Sequence, residues 1–176
     1  MSSSRDDGQE RRLDGIEFGW KVHDSIGDWT AKVDIKASII LALEAAVIGF
    51  VITLSDKSGP LTDLAGSALT LYRVGLALLV VSALLAASVV FPQLSRRRSR
   101  RDRPHGAIYF GHLRWWNPDQ LQEKLSTLDQ ASQLEELASQ LVQTSVVAWR
   151  KHSLLQLSMV LAVLGGITLM ISHIFR

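Results

Sequence analysis

Few residues in this chain have both the type and the setting to do chemistry, and Glu44 stands out among them as a carboxylate inside the apolar run ASIILALEAAVIGFVITL, Ala37 to Leu54. A charged side chain at the centre of a bilayer costs about 2.5 to 3.5 kcal/mol on insertion scales, so Glu44 is expected to face protein or water and not lipid. Two roles stay open for it: an interior acid that is protonated or hydrogen-bonded and merely fits, or a pore-lining or gating group in an oligomer. A second gathering is Tyr109, Phe110, His112, Arg114, Trp115 and Trp116, which brings aromatic faces and cations together within eight residues. Aromatic side chains beside a basic segment commonly sit at the level of lipid headgroups, and Trp149, Arg150 and Lys151 read in the same way as flanking anchors of the last apolar run.

Reaction chemistry finds no other purchase. The chain has no cysteine, and its five histidines show no metal-ligand spacing, which excludes disulfides, thiolate chemistry and a structural zinc site. There is no phosphate-cradling glycine loop, no nucleophile elbow and no paired acid and base. Gly165 and Gly166 fall inside an apolar run, while His105 and His112 are seven apart and read as surface residues. A protein without enzymatic activity, metal or cofactor is the expectation.

The elements that must position these residues follow from hydropathy. Hydrophobic residues make up 47% of 176, yet the chain also carries 19 Lys and Arg and 17 Asp and Glu, so the two classes must be segregated. Three apolar blocks of 18 residues, 37–54, 74–91 and 154–171, are each near the lower limit for crossing about 30 Å of hydrocarbon as a helix. A soluble helical bundle is the competing architecture, but core helices keep a polar stripe, and the second block has only Ser82 and Ser88 between Arg73 and Gln93. The residues ahead of the first block are rich in acids, unlike the short basic start of a signal peptide, so no cleavage is expected. Lys and Arg number six in residues 1–36, two in 55–73, ten in 92–153 and one in the tail, 172–176. The positive-inside rule then places 1–36 and 92–153 in the cytoplasm and 55–73 and the tail outside, with RRRSRRDR (Arg96 to Arg103) as a stop-transfer anchor. The outer segments are too short for a folded receptor domain.

The expected fold is an all-α integral membrane protein with three transmembrane helices, the first and third continuing into the cytoplasm as long helices that form a helical domain there. Val22, Ile26, Trp29, Val33, Ala37, Ile40 and Glu44 recur at steps of three and four, one face of a helix running unbroken into the first span. Its start is expected between Asp14 and Asp24, after about a dozen disordered residues, because Gly15, Gly19 and Gly27 each weaken a helix by ~1 kcal/mol. A second helix should begin with Asn117 as cap, Pro118 at the first helical position and Asp119 at the positive end of the dipole. Its stripe of Leu121, Leu125, Leu128, Ala131, Leu134, Leu137, Leu141, Ser145 and Ala148 would pack on the first, with a possible break between Ser126 and Ser132. The irregular stretch from His105 to Pro118 is where specificity is expected.

The order of these features carries a resemblance. Two spans, a basic turn, IYFG (Ile108 to Gly111), a polar helix ending QLVQTSVVAWRK (Gln140 to Lys151) and a final span resemble the transmembrane effector of Pycsar antiphage systems, the PycTM family. WTAKVDIKAS, Trp29 to Ser38, is similar to that family as well. The resemblance implies an effector in the bacterial inner membrane that answers cyclic CMP or cyclic UMP, made by a partner cyclase, by impairing the membrane and causing abortive infection. Such a ligand is a flat base with one phosphate and needs an aromatic face and a cation. Under this resemblance Tyr109, Phe110, His112, Arg114 and Trp115, with Lys151, become candidate nucleotide contacts beside the headgroup reading, and no nucleic acid polymer is expected. Small residues four apart (Ala42 and Ala46, Ala45 and Gly49, Ser82 and Ala86, Ala83 and Ala87, Ser158, Ala162 and Gly166) point to a homo-oligomer. A membrane-disrupting protein that needs no ligand or answers a cyclic oligonucleotide, and a non-lytic membrane scaffold, are the other classes that fit.

Overall fold

In a computed structural model of the chain, residues 3–55, 66–91, 113 and 116–175 are described. They form four helices, α1 (Ser3–Leu54), α2 (Gly66–Val90), α3 (Pro118–Thr127) and α4 (Gln130–Ile174), and no strand. Three of them, α1, α2 and α4, contain stretches long and apolar enough to cross a membrane. The chain divides into two compact units, Met1–Trp29 with Gln93–Ala148, and Thr30–Pro92 with Trp149–Arg176, and α1 and α4 contribute residues to each.

Helix α1 begins at Ser3, well before the start expected from its glycines and across the residues expected to be disordered. At Gly15 and Gly19, packing compensates propensity. A Cβ on Gly19 would lie 2.6 Å from a methyl group of Leu137, and one on Gly15 would lie 3.7 Å from Leu134. The cost of glycine inside a helix is thus offset by close approach of α4 in the first unit. The apolar stripe predicted from Val22 and Ile26 extends backwards through these two glycines, while Trp29, expected on the same face, is 63% exposed.

The remaining helix ends in the first unit follow their side chains. Asn117 caps α3 by accepting from the backbone N of Asp119 at 3.3 Å, with Pro118 leading the helix as predicted. The polar cluster after Ser126 does break the chain into two helices: α3 stops at Thr127, and Asp129 caps α4 by accepting from Ser132 N at 3.0 Å. Lys124 and Glu136 tie α3 to α4 at 3.4 Å. On the predicted stripe Leu137 is fully buried but Leu125 is exposed, and Gln140, which lies off that stripe, takes an interior position.

The second unit is a bundle of the C-terminal part of α1, all of α2 and the C-terminal part of α4. Val33, Ala37, Val89 and Leu155 pack together with Ile40 and Leu154 against them. Gly66, at the start of α2, has φ +57°, a left-handed conformation that glycine adopts without a Cβ clash. Farther along, Gly75 and Gly165 let α2 and α4 approach closely, because a Cβ at Gly165 would stand 2.9 Å from the Gly75 carbonyl oxygen. The outer faces carry the large apolar side chains, among them Leu43, Phe50, Leu84, Val163 and Met170, all exposed. Water is a poor solvent for such a surface and lipid a good one, so the unit belongs in a bilayer.

Candidate functional site

The interior of this three-helix bundle is polar at its centre, with one group from each helix. Glu44 of α1, Ser82 of α2 and Ser158 of α4 are all buried. The Ser82 hydroxyl touches Glu44 Oε1, lies 2.6 Å from the Ser158 carbonyl oxygen and lies 3.1 Å from the Ser158 hydroxyl. Glu44 Oε2 is buried with no hydrogen-bond partner. Sequence periodicity anticipated the inward direction of Glu44, since it continues the Val33, Ala37, Ile40 face. Ser82, which it meets, and Ser158 beyond it were legible only as small residues suited to close packing.

A second polar contact joins α1 to α4. Lys151 Nζ donates to both carboxylate oxygens of Asp34, at 2.7 and 2.8 Å, with the lysine side chain 9% and the aspartate side chain 37% exposed. A lysine buried to this degree needs a partner, and two-oxygen contact supplies it. This pair connects the strings WTAKVDIKAS and QLVQTSVVAWRK, which are far apart in sequence. Lys151 therefore has a structural engagement that its place beside Trp149 and Arg150 did not suggest, whereas Trp149 is exposed as an anchor would be.

The other sequence-predicted contacts, Tyr109, Phe110, His112, Arg114 and Trp115, lie outside the described residues. Their neighbour Trp116 is described: its backbone N donates to Leu113 O at 3.1 Å, and its indole Nε1 is buried without a partner. No group of three or more His, Cys, Asp or Glu residues able to hold a metal occurs among the described residues.

Sequence reasoning missed Gly75 and treated Gly165 only as a residue within a span. Their spacing to other small residues is unremarkable, and only the crossing of α2 and α4 gives them a role. Of the small pairs picked out by spacing, Ser82 and Ala86 are buried within the chain, whereas Ala42, Ala46, Gly49 and Gly166 face outward.

Comparison with protein families matches residues 18–176 to a model described as the Pycsar effector protein domain. Comparisons with curated proteins and with solved structures give no match.

Proposed function

The chain belongs to the Pycsar effector family, which acts in antiphage defence, and from that premise we propose that it is a membrane effector switched on by a cyclic pyrimidine mononucleotide. In this reading a partner cyclase makes cyclic CMP or cyclic UMP during infection, the effector binds it without chemical turnover, and the inner membrane is impaired so that the infected cell dies. The observation that supports it best is the inverted character of the second unit, with a polar centre and large apolar side chains on its outer faces, in a chain whose family match covers nearly its whole length.

The topology we propose has residues 1–36 and 92–153 in the cytoplasm and the short segments 55–73 and 172–176 outside. The asymmetry of Lys and Arg, dominated by Arg96 to Arg103, supports it. Ligand contacts are assigned to Tyr109, Phe110, His112, Arg114 and Trp115, where stacking surfaces and a cation coincide. Lys151 takes a phosphate only by giving up Asp34. Because three helices cannot enclose a conducting path alone, several copies assemble and ligand binding alters the packing among their helices.

The test is reconstitution of the full chain into dye-loaded liposomes, with cyclic CMP and cyclic UMP titrated separately and binding followed by calorimetry. Dye release and heat with one of the two nucleotides is the expected result. Intact liposomes and no heat with either overturn the reading. Release with no nucleotide assigns the protein to ligand-independent lysis, and release with a cyclic oligonucleotide alone changes the ligand class. A harmless protein that copurifies with a soluble partner would instead be a scaffold.

A further inference from the structure

We propose that Glu44 is a proton-binding site, and that the proton it carries locks the three-helix bundle of the second unit in its packed form. Hydrogen-bond counting leads there. Ser82 has a single hydroxyl hydrogen, yet its oxygen lies against two acceptors, Glu44 Oε1 and the Ser158 carbonyl oxygen at 2.6 Å. The Ser158 carbonyl belongs to helix α4 and can only accept. With an ionised Glu44, one of these two oxygen contacts has no hydrogen in it, and a carboxylate is left inside the bundle with Oε2 partnerless. One added proton resolves the count. Glu44 then donates to Ser82 Oγ, Ser82 donates to the Ser158 carbonyl, and the Ser158 hydroxyl, 3.1 Å away, donates to the second lone pair of Ser82.

The surroundings offer no other way to balance the charge. The residues one turn to either side of the cluster on its three helices, such as Ile40 and Ile48, Leu79 and Ala86, and Leu155 and Ala162, carry no titratable group. The nearest cation along these faces is Lys151, two turns before Ser158 on α4, and Asp34 holds it at 2.7 Å. A carboxylic acid hydrogen-bonded to Ser82, which in turn reaches Ser158, suits the site, and a carboxylate does not. Any rearrangement that parts α1 from α2 and lets water in would release the proton, so the packed form holds one proton more than the opened form.

Infrared difference spectroscopy of the purified full chain in micelles, with no nucleotide present, tests this independently of the ligand reading. At neutral pH the C=O band of a protonated carboxyl should be present, absent in Glu44→Gln and shifted in Ser82→Ala, where its hydrogen-bond acceptor is gone. The melting temperature of the natural protein should fall as pH is raised from the ordinary carboxyl range towards neutrality, and Glu44→Gln, which keeps a neutral donor there, should lack that part of the fall. A carboxylate band that disappears on Glu44→Gln at neutral pH, with no change in the protonated C=O region, overturns the proposal. So does a Glu44→Gln variant that fails to fold or that loses stability with pH as the natural protein does.

Discussion

The two units of this molecule differ in what lies at their centres. In the first, a leucine of α4 fills the space left by a glycine of α1, while charged pairs such as Lys21 with Glu17 stay on the outside. In the second, a glutamate, two serines and a lysine with its aspartate partner lie within the bundle, and leucine, valine and phenylalanine face outward. The difference bears on what can hold each unit together. Apolar contacts hold a unit whose alternative is exposure to water, but between lipid-bathed helices the apolar gain vanishes, and close packing and polar contacts must do the holding.

The largest expected effect comes from breaking the charge pair. Lys151→Met leaves Asp34 without its cation and should destabilise the protein in micelles by about 3 kcal/mol, the lower part of the range for removing one partner of a buried pair, since Asp34 reaches solvent in part. Replacing both residues together, Asp34→Asn with Lys151→Met, should recover much of that loss in a double-mutant cycle. A full loss in the double variant would show that packing, and not charge, is what Lys151 contributes.

Next in size are the helix approaches. Gly165→Ala sets a methyl group against the Gly75 backbone and should cost about 2 kcal/mol, as overpacking does, whereas Gly166→Ala, which meets nothing within 4 Å, should cost nothing measurable. Denaturation by SDS titration distinguishes the two. In the first unit, Gly19→Ala presses on the end of a leucine side chain that can turn aside. About 1 kcal/mol or less is expected there after the gain in helix propensity. Equal penalties at Gly19 and Gly165 would erase the contrast drawn between the units.

The smallest effect belongs to Lys21→Ala. Lys21 holds the Glu17 carboxyl below its ordinary range through a hydrogen bond and its charge, and Glu17 raises Lys21 in return. The pair's contribution is therefore present at neutral pH and is lost on acidification, as Glu17 takes a proton. Both side chains are largely exposed, so that contribution is small and screened, and at physiological salt the mutation should leave the melting temperature unchanged within error. A clear drop would mean that this surface is covered in the assembled protein.

Much of the architecture could be read without coordinates. Runs such as Val74 to Phe91 have no polar stripe, and that alone separates a lipid-facing helix from a core helix. Asn117-Pro118-Asp119 announces a helix start because its capping chemistry is local. The period that carries Val33, Ala37 and Ile40 carries Glu44 too, so its inward direction was also legible. Each of these is a property of one segment and its solvent.

What needed the tertiary structure was every pairing between segments. Nothing local tells Asp34 that its cation is Lys151, or Glu44 that Ser82 and Ser158 will be its neighbours, because those distances exist only once three helices cross. The early start of α1 belongs to the same class: of the glycines that seemed to forbid it, Gly15 and Gly19 have Leu134 and Leu137 of another helix in the space beside them. Periodicity determines which way a side chain points, and the crossing of helices decides what it meets.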